Sequence, residues 1–147
     1  METFPDLVHL KVDPRSINDQ SVQNLEKLQN LKYLKIIGNS LSSVDFLNDL
    51  NLKHLTIDGF SKDISEGLKL SNLEEISLVN LNQLSHLLFL KNCPNLKTLI
   101  IKNCKKIEDF SIIGKMPNLK VLLLSNCENV NLDFFWNDQR SREANSN

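Results

Sequence analysis

Apolar and polar residues alternate along most of this chain in short bursts, and the bursts recur. In Leu96-Lys97-Thr98-Leu99-Ile100-Ile101 and Leu119-Lys120-Val121-Leu122-Leu123-Leu124, the fourth and sixth positions are apolar and stand two residues apart. Period two places such residues on one side of an extended strand. The same L-x-x-L-x-L frame opens at Leu31, Leu52 and Leu73, and in a looser copy at Leu7. First leucines at 7, 31, 52, 73, 96 and 119 are separated by steps of 24, 21, 21, 23 and 23. A near-constant period of this size marks a repeat array. Strands are therefore expected near 33–37, 54–58, 75–79, 98–102 and 121–125. Leu55, Ile57, Leu99, Ile101, Leu122 and Leu124 are expected to be almost fully buried.

One such strand cannot bury its apolar side alone. Stacked copies form a parallel sheet over a shared core, each coil touching only its neighbours. At about 4.8 Å per strand, six strands span roughly 25 to 30 Å. The chain must cross between strands outside the sheet. In 16–30, Val22, Leu25 and Leu28 recur at helical spacing, with Ser16, Asn18 and Asp19 as candidate caps. The shorter stretches 45–50 and 109–116 suit a single helical or 3₁₀ turn. The array reads as one domain over 1–136. Its N-terminal cap is thin, with Phe4 the only large apolar residue before Leu7, and Phe134, Phe135 and Trp136 are candidates to cover the last coil. The polar stretch 137–147 is expected to be a disordered tail.

The longer frame L-x-x-L-x-L-x-x-[N/C]-x-x-[I/L], as in CPNLKTLIIKNCKKI (93–107) and MPNLKVLLLSNCENV (116–130), resembles the leucine-rich-repeat family over roughly residues 4 to 132. The copies ending in Cys104 and Cys127 are similar to the cysteine-containing type of F-box ubiquitin-ligase adaptors. The copy at 31–50 is similar to the type in regulatory subunits of a protein phosphatase. The resemblance implies an α/β fold: a right-handed solenoid of about six coils. A parallel sheet would form its concave face, with short helices, 3₁₀ turns and loops on the convex face. It also implies an adaptor or regulatory subunit. Phe60 and Leu81 stand where asparagine or cysteine is expected, and Arg15 or a neighbour fills that slot in the first copy. The polar ladder is thus expected to be incomplete in the N-terminal half. No F-box-like helical segment is read, because the repeats begin at residue 4. A ligase role would need another chain, or this would be a fragment of a longer protein.

Composition narrows the picture. The chain has 147 residues, 41% of them apolar, and a formal net charge of −1. Nothing global favours nucleic acid or an anionic membrane. No run approaches the roughly 18 apolar residues that cross a bilayer, and METFPDLVHL is acidic where a signal peptide is basic. Three cysteines without a secretory start point to free thiols and an intracellular, cytoplasmic or nuclear protein. Cys104 and Cys127 share a slot in successive coils and are expected to be buried neighbours facing the turn backbone. Cys93 shares an apolar slot with Phe4, Leu28, Leu70 and Met116, so burial is expected there too. No zinc-ligand spacing is present. His9 and His54 share an outward column with Tyr33 between them, about 9 to 10 Å apart, too far for one metal or one proton. His86 reads as a surface residue. No G-x-S-x-G or P-loop occurs, and Glu74 and Glu75 point to opposite sides of a strand. The reading is a non-enzyme that needs no cofactor or metal.

Positions three, five and seven of each copy look outward. They read His9, Tyr33, His54, Glu75, Thr98, Val121; then Lys11, Lys35, Thr56, Ser77, Ile100, Leu123; then Asp13, Ile37, Asp58, Val79, Lys102, Ser125. Two patches emerge. Tyr33, Lys35 and His54, with His9, Lys11 and Asp58, form a polar and aromatic one. Ile100, Val121 and Leu123 form an apolar one, and contiguous exposed apolar residues often mark an interaction site. The competing reading is that the tail, Trp136 included, covers them. The expected function is a monomeric module that binds a partner protein on its concave sheet, with no nucleic acid, membrane or small-molecule substrate. The alternative is a structural segment of a larger receptor, ligase or effector with no binding role of its own.

Overall fold

The computed structural model of the chain describes residues 4–13, 18–38, 40–133 and 135. Six strands, β1 (His9–Val12), β2 (Tyr33–Ile37), β3 (His54–Asp58), β4 (Glu75–Val79), β5 (Thr98–Lys102) and β6 (Val121–Ser125), form one sheet. Strand order follows chain order, and every pairing is parallel. The five strands expected from the repeat fall at their expected positions, and the register aligns the repeat slots: Tyr33 with His54, Glu75 with Thr98, Ile100 with Leu123. Parallel neighbours require a crossover. Here each one runs outside the sheet, through the 3₁₀ helices Ser21–Lys27, Asp45–Asp49, Leu88–Asn92 and Ser111–Lys115 or through bends. This α/β arrangement is consistent with a solenoid.

Alternation decides which face is buried. In β2, β3, β4 and β5 the second and fourth residues are buried and the first and third are not. The inward residues, among them Leu55, Ile57, Leu99 and Ile101, join Leu47, Phe60, Leu68, Phe89, Leu90 and Ile113 of the crossing segments in one core. Leu122 and Leu124 depart from expectation, since both are only partly buried. A strand in the array is flanked by the strands on either side, and β6 has a paired strand on one side only.

Each strand start repeats one device. The carbonyl of Lys32 accepts the N–H groups of both Lys53 and His54, and Lys53, Glu74 and Lys97 accept a pair of N–H groups in the same way. At the crossing, Asn18 Oδ1 accepts the N–H groups of Gln20 and Ser21, so Asn18 orders the first turn. Asp19, the other candidate cap, instead accepts the N–H of Ser42 in the next coil. Ser16, Arg15, Phe134, Trp136 and the 137–147 tail lie outside the described residues.

Candidate functional site

The open face of the sheet carries the outward columns. On its N-terminal half, His9, Tyr33 and His54 come from successive strands at one register level. Their rings stack. His9 and Tyr33 have centroids 3.8 Å apart at 9°, and Tyr33 and His54 have centroids 4.3 Å apart at 11°. His54 Nδ1 lies 3.5 Å from Glu75 Oε2, so the fourth strand extends the column with a carboxylate. Two residues along, Lys11 pairs in register with Lys35. These side chains line an open groove of about 770 Å³. The sequence placed Tyr33, Lys35 and His54 in one patch, and the structure brings them together.

Ile100, Val121 and Leu123 gather at the other end of the face. Ile100 is the register partner of Leu123, and Thr98 that of Val121. Val121 is 51% exposed and Leu123 39% exposed, while Ile100 is half-buried. Phe135, the one candidate covering residue that is described, is itself 42% exposed. Strand β4 and the outward Ser77 separate this apolar patch from the rings.

A polar ladder borders the sheet where the strands end. Asn80 Nδ2 donates to Asp58 Oδ1 at 2.8 Å, Asn103 Nδ2 to Asn80 Oδ1 at 2.9 Å, and Asn126 Nδ2 to Asn103 Oδ1 at 2.8 Å. All three asparagines hold positive φ, between 50° and 55°. The ladder sits one slot before the position where the sequence placed it. That expected slot holds Phe60, Leu81 and Cys104, all buried. The left-handed turn needs a residue that tolerates positive φ, and asparagine does. Gly38 and Gly59 fill the same turn in the N-terminal half.

A second asparagine column precedes the repeat leucines. Asn30 donates to the Pro5 carbonyl, Asn95 to that of Ser71 and Asn118 to that of Pro94, each tying one coil to the coil before it. Sequence reasoning missed this column, although its recurrence directly before Leu31, Leu96 and Leu119 was visible.

The thiols follow their slots in part. Cys93 and Cys104 are buried, Cys127 is only half-buried, and all three are free. The expectation of three buried thiols is corrected at Cys127, which follows the edge strand β6. Cys104 Sγ lies 3.3 Å from the Lys102 carbonyl and 3.6 Å from that of Leu78, facing turn backbone. Burial pushes the Cys93 thiol up to about 11 and raises Cys104 as well. On the crossing side, burial would raise Asp63, but hydrogen bonds from Ser65 and Ser85 outweigh it and lower the carboxyl. Among the described residues, no cluster of three or more His, Cys, Asp or Glu side chains is placed to hold a metal ion. No helix among them is long and apolar enough to cross a membrane. No protein-family model matches the chain, and no curated protein matches it.

Proposed function

We propose that the chain is an interaction module of the leucine-rich-repeat kind, a right-handed solenoid of about six coils. It binds a partner protein on the concave, open face of its sheet and acts by recognition, not catalysis, as an intracellular adaptor or regulatory subunit. The repeat register supports the repeat class, and the strong preference of parallel crossovers for one hand supports the handedness. One observation carries the functional reading. All-parallel sheets are ordinarily covered on both faces, whereas no described helix or strand covers the outward face of this one. That face bears stacked rings, lysines that join no ion pair among the described residues, and exposed Val121 and Leu123. Covering the exposed parts of Val121 and Leu123 with a partner contributes about 1 kcal/mol each.

The test is affinity capture from cell extract by the intact chain, read by quantitative mass spectrometry, beside three variants. Tyr33→Ala and Leu123→Asp alter the two patches. Lys91→Glu alters an exposed residue of the 3₁₀ helix Leu88–Asn92, off the sheet. Partners retained by Lys91→Glu and lost by either face variant support the reading. Equal capture by all four chains refutes it.

A further inference from the structure

This inference rests on the reading that the open face binds a protein, and it gives the chemistry of that partner. His9, Tyr33 and His54 stack on one another, so Tyr33 has no free face. The column turns ring edges to the groove, and those edges carry the rings' polar atoms, the Tyr33 hydroxyl and the imidazole nitrogens. Beside them, Lys11 and Lys35 are register partners on neighbouring strands, roughly 5 Å apart along the sheet. Like charges directly across two strands destabilise a sheet. Among the described residues neither lysine joins an ion pair. The acids of this face make their contacts elsewhere. Glu75 meets His54, Asp58 accepts from Asn80, and Asp13 also has a partner. The groove therefore holds two lysines that join no ion pair among the described residues, beside Glu75 and a row of rings with N–H and O–H donors.

We propose that this groove takes an acidic segment of a partner protein. A side-chain carboxylate sits between Lys11 and Lys35, and the neighbouring residues of the segment lie along the edges of His9, Tyr33 and His54. Single-stranded nucleic acid suits the site less. It binds by stacking bases on free aromatic faces, and the central ring here offers none.

The probe is a fluorescein-labelled peptide of alternating glutamate and alanine, titrated with the full chain and followed by anisotropy. The expected result is binding that moves the Tyr33 ring resonances in NMR spectra. It weakens at least about tenfold in the Lys11→Glu/Lys35→Glu double variant. That variant should gain affinity for the matching lysine–alanine peptide, which also shows that it is folded. Absence of binding, or binding indifferent to the charge reversal, overturns the proposal. So does a single-stranded DNA of equal charge that binds more tightly than the peptide and shows the same loss. If capture from extract depends on Leu123 while the double variant changes neither capture nor peptide binding, this proposal falls and the face-binding reading stands. If the peptide binds through the lysines but no face substitution alters capture, both fall.

Discussion

Asn103 offers the sharpest test of how the repeats are held in register. It sits in the turn after β5 with φ 55°, donates to Asn80 at 2.9 Å and accepts from Asn126 at 2.8 Å. Alanine there removes both hydrogen bonds and keeps a Cβ in the left-handed region. Two solvent-facing side-chain bonds are together worth roughly 1 to 2 kcal/mol. The left-handed conformation costs a Cβ-bearing residue about 1 to 2 kcal/mol. Part of that is returned, because alanine loses less chain entropy on folding than glycine, by about 0.4 to 1 kcal/mol. Asn103→Gly therefore isolates the ladder, at roughly 1 to 2 kcal/mol. Asn103→Ala adds a net conformational penalty of about 0.5 to 1 kcal/mol.

Gly59 measures that penalty independently. It occupies the same turn two coils earlier at φ +72°, and an added Cβ there meets only Gly38 backbone atoms, at 4.0 Å, an ordinary contact. Gly59→Ala thus carries the conformational term without the ladder term. The difference between Asn103→Ala and Asn103→Gly should match Gly59→Ala within about 0.5 kcal/mol, the tolerance of distant, independent sites. The assay is urea denaturation followed by far-ultraviolet circular dichroism, with thermal shifts of about 3 °C per kcal/mol as a check. If Asn103→Gly costs as much as Asn103→Ala, the left-handed turn is not what selects asparagine here. If Asn103→Gly costs nothing, the ladder does not hold the coils.

The core and the thiols supply further tests. Leu99 is fully buried, Leu122 half-buried and Leu123 39% exposed, so truncation to alanine should cost about 3, about 1 to 2 and under about 1 kcal/mol in that order; a Leu123→Ala loss equal to that of Leu99→Ala would show that Leu123 is covered. Thiol titration of the folded chain near neutral pH should reach Cys127 first and leave Cys93 and Cys104 protected, with all three reacting after denaturation; a Cys104–Cys127 bridge in protein purified without oxidant contradicts this. Cys93 titrates near 11 when folded against 9.0 for the unperturbed thiol. Between those values the folded state holds more protons, so its contribution is complete below pH 9 and falls as pH rises toward 11, by roughly 2 to 3 kcal/mol. Stability of a Cys93→Ala variant should fall less steeply over that window, and parallel curves would refute the assignment.

The strands were legible because a buried strand face has only one sequence signature, period two, and the repeat printed it many times. The register of Tyr33 with His54 and of Ile100 with Leu123 followed from the leucine spacing alone. The ladder was misplaced by one slot because the frame was read for residue type and not for backbone shape. Gly38 and Gly59 share the slot of Asn80, Asn103 and Asn126, and glycine alternating with asparagine is itself the mark of a left-handed turn. The half-burial of Leu122, Leu124 and Cys127 was not legible in the repeat pattern. Every copy looks alike in sequence, but enclosure depends on how many neighbours a strand has. The ring stacking was also out of reach, since a shared column does not specify side-chain torsions.

A repeat places the same kind of side chain at intervals of about 5 Å, so each slot must hold chemistry that tolerates its own copy. Leucine does so by packing. Asparagine does so because one amide both donates and accepts, which lets Asn80, Asn103 and Asn126 satisfy one another in series. Aromatic rings do so by stacking, as His9, Tyr33 and His54 show. Lysine cannot, because it only donates and it repels its copy. Lys11 with Lys35 is the one like-charge pair among the register partners of the six strands. Lys53 and Lys97, beside the strand starts, are bridged by Glu74, and that carboxyl is lowered by the two ammonium groups. The exposed rim thus supplies the anion between its lysines, whereas no described carboxylate pairs with Lys11 or Lys35 in the groove. On the proposed reading, a carboxylate of the partner supplies the counter-charge between Lys11 and Lys35.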